Sequence, residues 1–333
     1  MLHHISKLPQ DSVFLLGFSG GVDSSALFFL LLECGVEFDL AIVDYGMREE
    51  SRLEVAYAQE LAQTYDKKIY HLRAPRIGSN FEANARKIRY EFFGELIAKN
   101  AYRGLLLAHQ LNDRIEWLLM QFARGAGLNT LLGFGFCERV MGFDVFRPLL
   151  DVSKGELYRF CMERGIRFFE DRSNQDERFV RNRYRMIASF LMQSSCGIKQ
   201  SLKYLEKEKQ ILYPKFEIGK LGEVRRFARA REYQSLYILD LECKKLGYVL
   251  SAKQKKEIMR CCFSCEIHTL IIESNAHYIF VTPKIECVMS REYRNLCRIH
   301  QIPHRLRPVF YPLWCSQISI EEIGKFCNHP ISN

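Results

Sequence analysis

Short apolar runs alternate with longer stretches of helical periodicity through the first half of the chain. The apolar runs are Val13–Phe18, Phe38–Val43, Lys68–Leu72 and Arg103–Ala108. Helical patterns follow the first run at Ala26–Leu31, begin again near Ser51, and cover Asn80–Ala98, Leu111–Phe122 and Lys154–Arg164. Short apolar runs bounded by polar residues or glycines are typical of strands, and longer periodic stretches are typical of helices. The alternation predicts right-handed βαβ units, and therefore an α/β domain with a parallel sheet.

The first apolar run ends in a glycine-rich turn, and a helix is predicted to follow at once. The turn is Ser19-Gly20-Gly21-Val22-Asp23-Ser24. Such a turn directs backbone N–H groups and the positive end of a helix toward one point, which suits phosphate. Asp23 would repel a bound phosphate unless Mg²⁺ lay between them. The turn therefore predicts a Mg²⁺-nucleotide site, with an ordinary strand-to-helix turn as the alternative.

A second polar cluster follows the fourth predicted strand. His109 ends that strand, and Asp113 and Glu116 share one face of the next helix because they are three residues apart. Ligands bind beyond the carboxyl ends of parallel strands, so we expect this cluster and the Ser19–Ser24 loop around one crevice. Acidic residues in a first helical turn are also ordinary partners of the helix dipole, and this alternative stays open here.

Charge is distributed unevenly along the 333 residues, a length sufficient for two domains. Residues 190–333 hold 23 of the 48 Lys and Arg residues but only 14 of the 39 Asp and Glu residues, so they carry the whole formal net charge of +9. This excess favours a polyanionic partner such as nucleic acid, with a generic basic surface as the alternative. No apolar run is long enough to cross a bilayer, and scattered cysteines favour reduced thiols in the cytoplasm.

Several arginines are candidate anion contacts. Arg124 follows a helix at a glycine-rich break, where it could reach a phosphate or a carboxylate, or belong to an ordinary helix end. Arg181 and Arg185 belong to a cluster of four arginines within eight residues, where a self-paired charged surface is the alternative. Candidate phosphate contacts in the basic part are Arg225, Arg226 and Arg229. Surface solubility is the alternative for each of these three.

The C-terminal part is predicted to be mainly helical with one small β-hairpin. Helical patterns cover Met186–Tyr213, Gly219–Leu246 and Ala252–Cys261. The apolar runs His268–Glu273 and His277–Val281 are separated by a short turn, which is typical of a hairpin. Cys262, Cys265 and His268 have the spacing of part of a metal site, but no fourth ligand is evident, and free buried thiols are the favoured interpretation.

Taken together, the motifs resemble those of the tRNA(Ile)-lysidine synthetases, a branch of the PP-loop ATP pyrophosphatases. The resemblance runs through residues 13–190. Besides the Ser19–Ser24 loop, it is carried by Gly46-Met47-Arg48; Asn80-Phe81-Glu82; Ala108-His109 with Asp113 and Glu116; Arg124-Gly125; Arg147-Pro148-Leu149; and Glu170-Asp171 with Arg181-Asn182 and Arg185. The family usually has His, His, Asp, Gln and Thr where this chain has Tyr45, Gln110, Asn112, Arg114 and Trp117.

The resemblance implies a fold and a reaction. Residues 1–190 would form a PP-loop catalytic domain of the adenine nucleotide alpha hydrolase type, and residues 191–333 a basic, mainly helical region that binds tRNA. ATP, L-lysine and the wobble cytidine of a tRNA(Ile) with a CAU anticodon would give lysidine, AMP and pyrophosphate through an adenylated cytidine. This change switches decoding from AUG to AUA. No membrane is involved, and a homodimer is one open oligomeric state.

The resemblance also distributes roles among the candidate residues. The Ser19–Ser24 loop would bind ATP, with Asp23 placing Mg²⁺. Asp113, Glu116 and Arg124 would bind the lysine substrate. The lysine amine, with a pKa near ~10.4, must lose a proton before it attacks, and the candidate acceptors are His109, Asp113 and Glu116. The tRNA contacts would be Arg181, Arg185, Arg225, Arg226 and Arg229.

Two other functions stay open from the sequence. The first is a PP-loop tRNA thiolation enzyme, which also adenylates a base oxygen. Residues 1–190 contain only Cys34, Cys137 and Cys161, without a Cys-x-x-Cys pair, and this weakens the thiolation alternative. The second is a non-catalytic, ATP-dependent tRNA-binding protein, which the departures at Asn112 and Trp117 keep open.

Overall fold

Residues 3–46, 50–75, 77–78, 80–170, 180–194, 197–213 and 216–330 are described by a computed structural model of the chain. No helix within those ranges is long and apolar enough to cross a membrane. The chain forms two compact units, Met1–Lys209 and Gln210–Asn333. The first unit extends past residue 190 because Leu202 and Leu205 pack against Leu111 and Ile115. A functional division at residue 190 stays a prediction.

A six-stranded sheet forms the centre of the first unit. Its strands are β1 (Val13–Gly17), β2 (Glu37–Asp44), β3 (Ile69–Arg73), β4 (Leu105–Leu106), β5 (Cys137–Val140) and β6 (Phe143–Phe146). Their order is β3-β2-β1-β4-β6-β5, and all neighbours are parallel except β5 and β6. The helices are α1 (Val22–Glu33), α2 (Glu50–Thr64), α3 (Phe81–Asn100), α4 (Leu111–Ala123), α5 (Leu128–Leu131), α6 (Lys154–Glu163), α7 (Val180–Ser194) and α8 (Ile198–Leu212). The predicted α/β fold with a parallel sheet is confirmed.

The central strand β1 is buried on both faces. Phe14 and Leu16 pack into a core with Phe28 of α1, whereas Leu15 packs on the other face with Phe93 of α3. A strand covered on both faces is a near-continuous apolar run, as the sequence has here. Helices on both faces hold the sheet in place, and the loops at the carboxyl ends of its strands are therefore held on a rigid frame.

The described residues of the second unit form an antiparallel sheet and five α-helices. Its strands are β7 (Gly219–Leu221), β8 (Val224–Ala228), β9 (Cys265–Ile267), β10 (Leu270–Ser274) and β11 (Tyr278–Pro283), in the order β7-β8-β11-β10-β9. Its helices are α9 (Glu232–Lys245), α10 (Ala252–Arg260), α11 (Arg291–Ile299), α12 (Arg307–Cys315) and α13 (Ile320–Asn328). The predicted hairpin is present as β10 and β11, which pair antiparallel.

The prediction of a helix over Gly219–Leu246 is wrong in its first part. Residues 219–228 form β7 and β8, and the helix starts only at Glu232. Phe227 pairs with Ile279 of β11 and is fully buried, so a partner distant in sequence decides the local conformation. Strand preference depends strongly on such packing, which local helix-forming residues do not reveal.

The C-terminal cysteines do not form a metal site within the described residues. No group of three His, Cys, Asp or Glu side chains is placed to hold a metal ion there. The His268 ring stacks on Tyr248, with 5.6 Å between ring centroids. Cys261 Sγ lies 3.3 Å from Glu257 Oε1. Cys262 is exposed and Cys265 is half-buried, so the expectation of buried thiols is wrong for Cys262.

Candidate active site

The Ser19–Ser24 loop connects β1 to α1 through a glycine that no other residue would replace easily. Gly20 has a φ of +73°, in the left-handed region that favours glycine. A Cβ at this position would lie 3.2 Å from the Cβ of Glu54 and 3.3 Å from Cδ2 of Phe169. Gly21 is the N-cap of α1, so the first N–H groups of the helix have no carbonyl partner within it. The loop therefore has the backbone of an anion-binding turn.

The two serines of the loop have different surroundings. Ser24 is buried, and its Oγ accepts from the backbone N–H of Ser19 at 3.3 Å and donates to the carbonyl of Gly21 at 3.1 Å. Ser19 is exposed and lines a cavity. Ser24 thus holds the loop closed, and its Oγ also lies 3.1 Å from the Oγ of Ser19, the serine that lines the cavity.

A cavity of about 480 Å³ lies above this loop. The loop contributes Ser19, Gly21, Val22 and Asp23, the end of β2 contributes Ile42 and Val43, and Tyr45 follows β2. Lys154 and Tyr158 of α6, Arg185 of α7, Glu54, Phe169 and Glu170 complete the lining. This volume is within the range of small-molecule sites, and the cavity lies where ligands bind in open α/β sheets.

Asp23 is the most perturbed group in the cavity. Burial first, and then the nearby carboxylate of Asp113, raise its pKa to about 7 against the opposing effect of Lys154 and Arg185. Its Oδ1 atom is buried and has no hydrogen-bond partner among the described residues. An unpartnered buried carboxylate oxygen fits a cation. Mg²⁺ is commonly held by one or two carboxylates together with substrate phosphates and water, so a single protein ligand suffices.

Asp113 and Glu116 lie near Asp23, as the sequence predicted. Glu116 also contributes to the raised pKa of Asp23. Glu116 is 3% exposed and accepts a hydrogen bond from Nε of Arg185 at 3.0 Å. Asp113 Oδ2 accepts from the backbone N–H of Gln110 at 2.9 Å, which is one half of a capping box. The helix-capping alternative is therefore true of Asp113 in part, but three carboxylates and two cations still meet here.

Arg185 belongs to this cluster, although the sequence placed it among the tRNA contacts. Its guanidinium donates to Glu116 and, through Nη1, to Asn182 Oδ1 at 3.2 Å, and the residue lines the cavity. The side chain of Arg181 lies outside the described residues. His109 packs its ring against Phe134, with 5.1 Å between centroids.

Arg124 lies at the opposite end of α4 from Asp113. It is exposed at the C-cap of the helix. Eleven residues separate the two positions, which at the helical rise of ~1.5 Å per residue corresponds to about 16 Å. Binding of a lysine carboxylate by Arg124 stays a prediction.

Three departures from the family pattern lie at the start of α4, and each has a structural partner. Gln110 is the N-cap, and its Oε1 accepts from the Asn112 N–H at 2.6 Å. Asn112 Oδ1 accepts from the backbone N–H of Lys154 at 3.0 Å. Arg114 is buried, donates to Asp151 Oδ1 at 3.2 Å and pairs with Glu206 of α8. These residues connect α4 to the start of α6 and to the middle of α8.

The side chains of the two remaining departures, Trp117 and Tyr45, each donate a hydrogen bond to a backbone carbonyl. Trp117 Nε1 donates to the carbonyl of Thr130 at 2.7 Å, and its ring covers Gly133 so closely that a Cβ there would lie 2.6 Å from the indole. Tyr45 lines the cavity and donates its hydroxyl to the carbonyl of Ala85 at 3.1 Å. The departures therefore change packing around the site and leave the carboxylate cluster in place.

Sequence reasoning missed Lys154 and Tyr158 as cavity residues. Both lie on α6, which begins after a capping box made by Ser153 and Glu156. The only sequence signal that could have identified them was the position of their helix along the chain. A helix that starts directly after an extended segment of a parallel sheet begins at the carboxyl edge of that sheet.

Arg226 corrects one expectation for the basic part. It is 5% exposed, donates to the carbonyl of His329 at 2.8 Å and to that of Phe326, and its guanidinium lies between the rings of Tyr278 and Phe326. A guanidinium held inside the fold in this way cannot reach a phosphate. Arg226 is therefore a structural residue of the second unit.

The neighbouring arginines are more accessible, to different extents. Arg225 Nη1 lies 3.0 Å from Glu242 Oε2, and its side chain is only 15% exposed. Arg229 is exposed and donates to the carbonyl of Asn275 at 3.3 Å. Of these three arginines, Arg229 is the one whose position suits a phosphate contact.

The parallel sheet, the Ser-Gly-Gly loop leading into α1 and the unpartnered Asp23 carboxylate define a PP-loop ATP-binding protein. A family model described as the PP-loop domain matches residues 1–190. The chain is 42% identical to a tRNA(Ile)-lysidine synthase from Helicobacter hepaticus, over 91% of this chain and 82% of that protein. It is 43% identical to one from Helicobacter pylori, over 97% of this chain and 96% of that protein. The chain belongs to the tRNA(Ile)-lysidine synthase family.

One solved structure shares the fold at much lower sequence similarity. It is a U34-tRNA thiolase, NcsA, from Methanococcus maripaludis with its 4Fe-4S cluster. The TM-score is 0.51 with 16% identity, and the match covers 62% of this chain and 77% of that one. At this identity the likeness concerns the fold alone.

Proposed function

We propose that the chain is an ATP-dependent ligase that joins L-lysine to C2 of the wobble cytidine of a tRNA(Ile) with a CAU anticodon. Lysidine, AMP and pyrophosphate are the products, and decoding changes from AUG to AUA. Family membership supports the use of ATP and a tRNA(Ile) substrate. The observation that carries the residue assignment is the meeting of Asp23, Asp113 and Glu116 beside a nucleotide-sized cavity.

The PP-loop binds the phosphates of ATP in this proposal. The N–H groups at the start of α1 and the hydroxyl of Ser19 donate to phosphate oxygens. Asp23 holds Mg²⁺ through its buried Oδ1, and the ion when bound supplies positive charge against the phosphates. The cavity beside the loop receives the nucleoside, and Ile42, Val43 and Tyr45 form its wall at the end of β2.

The carboxylate pair on α4 serves the lysine substrate. Asp113 and Glu116 attract the cationic side chain, which selects lysine over neutral amino acids. One of the pair then takes the proton that the amine must lose before it displaces AMP from C2 of the cytosine. Asp113 and Glu116 in turn raise the pKa of Asp23, because like charges close together disfavour full ionisation. Arg185 fixes Glu116 in place.

Lysine transfer tests the proposal directly. Purified protein is incubated with Mg-ATP, labelled lysine and a tRNA(Ile) transcript carrying CAU, and esters are removed with base. We expect base-stable label in the tRNA, with one AMP released per lysine. A transcript with GAU in the anticodon is the matched control and should take up no label. AMP formed only in the presence of a sulfur donor, without lysine uptake, would instead establish thiolation.

Asp113 offers a variant pair that separates catalysis from folding. Asp113→Asn keeps an oxygen that accepts the Gln110 N–H, whereas Asp113→Ala removes it. We expect both variants to lower lysine transfer by about 10²-fold or more. Only Asp113→Ala should lower stability, by about 1 kcal/mol for the lost cap. Full activity in Asp113→Asn would refute the role of its charge.

Other expectations of the proposal concern location and assembly. The enzyme is expected in the cytoplasm, where its tRNA substrate is found. The homodimer is tested by sedimentation at several protein concentrations. A mass of 39.1 kDa at all concentrations would exclude it.

A further inference from the structure

Among the described residues, two cations line the cavity, and they differ in what they contact. Arg185 donates to Glu116 and is therefore partly neutralised by the protein itself. Lys154 lines the same cavity, and within the described residues its ammonium forms no ion pair. Its charge nevertheless acts on Asp23, whose pKa it lowers, so it lies within electrostatic reach of the PP-loop.

The position of Lys154 is fixed from three sides. It is the first residue of α6, directly after the N-cap Ser153, whose Oγ accepts from the N–H of Glu156 at 3.3 Å. Its own backbone N–H donates to Asn112 Oδ1 at 3.0 Å, which ties the start of α6 to the start of α4. Its Nζ lies 5.7 Å from the centroid of the Tyr158 ring. The start of α6 therefore holds the ammonium at the cavity.

Tyr158 is itself held in place. Its hydroxyl donates to Glu170 Oε1 at 2.8 Å, and both residues line the cavity. A cation over a fixed aromatic face is attracted weakly and keeps its full charge. The ring therefore directs Lys154 without neutralising it.

We propose that Lys154 binds the β- and γ-phosphates of ATP, and that Asn112 positions it by anchoring the start of α6. A cation that forms no ion pair within the described part of the chain is suited to phosphate, to which charge-assisted hydrogen bonds are strong. When the cytosine oxygen attacks the α-phosphorus, the bond from that phosphorus to the bridging oxygen breaks. The electron pair passes to the leaving pyrophosphate, and Lys154 balances the added charge. The inference rests on the proposed use of ATP at this site.

The proposal also explains a departure from the family pattern. The family usually has Asp where this chain has Asn112. An amide oxygen and a carboxylate oxygen can both accept the Lys154 N–H, so the contact needs an acceptor and not a charge. Asn112 is a positioning residue in this account, because it acts through Lys154.

Nucleotide binding without tRNA tests the role of Lys154. Calorimetry with Mg-ATP, AMP and inorganic pyrophosphate compares wild type with Lys154→Met, Lys154→Arg and Lys99→Met. Lys99 is an exposed lysine in the last turn of α3, so its variant removes the same charge elsewhere. We expect Lys154→Met to weaken ATP and pyrophosphate about tenfold and AMP less than twofold. Lys154→Arg should recover most of the affinity, and Lys99→Met should change none.

Equal weakening of ATP and AMP in Lys154→Met, or no weakening, would overturn the inference. A second pair of variants tests the anchor. Asn112→Ala should weaken ATP binding about threefold to tenfold, and Asn112→Asp should stay within twofold of wild type. Unchanged affinity in Asn112→Ala would remove Asn112 from the account. Thermal melting of each variant identifies any that fail to fold.

The outcomes separate this inference from the proposed function. If wild type transfers no lysine but Lys154→Met selectively loses ATP and pyrophosphate affinity, the ligase proposal fails and the phosphate role stands. If wild type transfers lysine and Lys154→Met has an unchanged KM for ATP and an unchanged kcat, the ligase proposal stands and the phosphate role fails.

Discussion

Buried charge is used differently in the two units. In the second unit, buried carboxylates have cation partners, since Glu242 lies 3.0 Å from Arg225 and Glu273 lies 3.1 Å from Arg305. In the first unit, Asp23 has a buried oxygen without a partner, and Lys154 faces the cavity without an ion pair among the described residues. Paired charges hold the second unit together. Charges left open in the first unit are available to a ligand.

This difference also limits what net charge reveals. The basic excess of residues 190–333 suggests a surface for nucleic acid. In the structure, however, Arg226 serves backbone carbonyls and Arg225 pairs with Glu242. Charge counts do not distinguish arginines that hold the fold from those that face solvent. Only the second kind contributes to binding a polyanion.

The largest effect is expected from the unpartnered carboxylate. Asp23→Asn removes the charge that places Mg²⁺ while keeping the shape of the side chain. We expect kcat/KM for lysine transfer to fall about 10³-fold, of the order seen when a group that stabilises a transition state is lost. Steady-state kinetics at saturating Mg²⁺ measure this.

Glu242→Gln, in the second unit, is expected to lower stability and leave activity unchanged, the reverse of Asp23→Asn. It breaks a buried ion pair, so the free energy of unfolding should fall by about 3 kcal/mol, while kcat under native conditions should stay within about twofold. Loss of activity in Glu242→Gln with unchanged stability would contradict the division between structural and ligand-facing charges.

Arg226→Met should affect stability and not tRNA binding. The variant leaves the carbonyls of Phe326 and His329 without their donor, and each unsatisfied buried group costs about 1–3 kcal/mol. Urea unfolding should show a loss of about 2–4 kcal/mol. Titration with tRNA in the absence of urea should show an unchanged Kd. A large rise in Kd for folded Arg226→Met would restore this residue to the tRNA contacts.

Asp23 predicts a pH dependence of stability in the absence of Mg²⁺ and ATP. Its pKa is about 7 in the folded chain against an ordinary value of 3.8. Between these values the unfolded chain is ionised while the folded chain holds a proton, so the contribution of Asp23 to stability falls as pH rises from about 4 to about 7 and is level above. Asp23→Asn lacks this contribution. The melting temperature of the variant should therefore rise relative to that of wild type as pH increases over this range. A difference in melting temperature that does not change with pH would contradict the prediction.

The smallest effect is expected at Arg229. Arg229→Met should weaken tRNA binding about twofold to fivefold, because one exposed phosphate contact is lost. The slope of log K against log salt should fall by about one. Filter binding at several salt concentrations measures both, and Lys99→Met is the matched control. A change in affinity without a change in slope would assign Arg229 a role other than phosphate contact.

Much of the first unit was predictable because its signals are local. The apolar runs for β1 and β2 appear in the structure within two residues of their predicted ends. The second unit was less predictable, since residues 219–228 become strands only by pairing with β11. Burial of Phe227 in that sheet outweighs the helical preference of its neighbours.

The sequence by itself determined the PP-loop and the parallel α/β fold, and it predicted the carboxylates of the candidate site. Glycines, strand-length apolar runs and i, i+3 spacing are local features of the sequence. Because the carboxyl ends of parallel strands lie at one edge of the sheet, these features also predict that loops distant in sequence meet there. Only the tertiary structure decided the partners of each charge. In the structure, Arg185 donates to Glu116, and Arg226 is buried and donates to backbone carbonyls. The contact of the Lys154 N–H with Asn112 positions Lys154 at the cavity. The physical reason is that the electrostatic environment of a side chain depends on neighbours from other elements, which spacing along the chain does not specify.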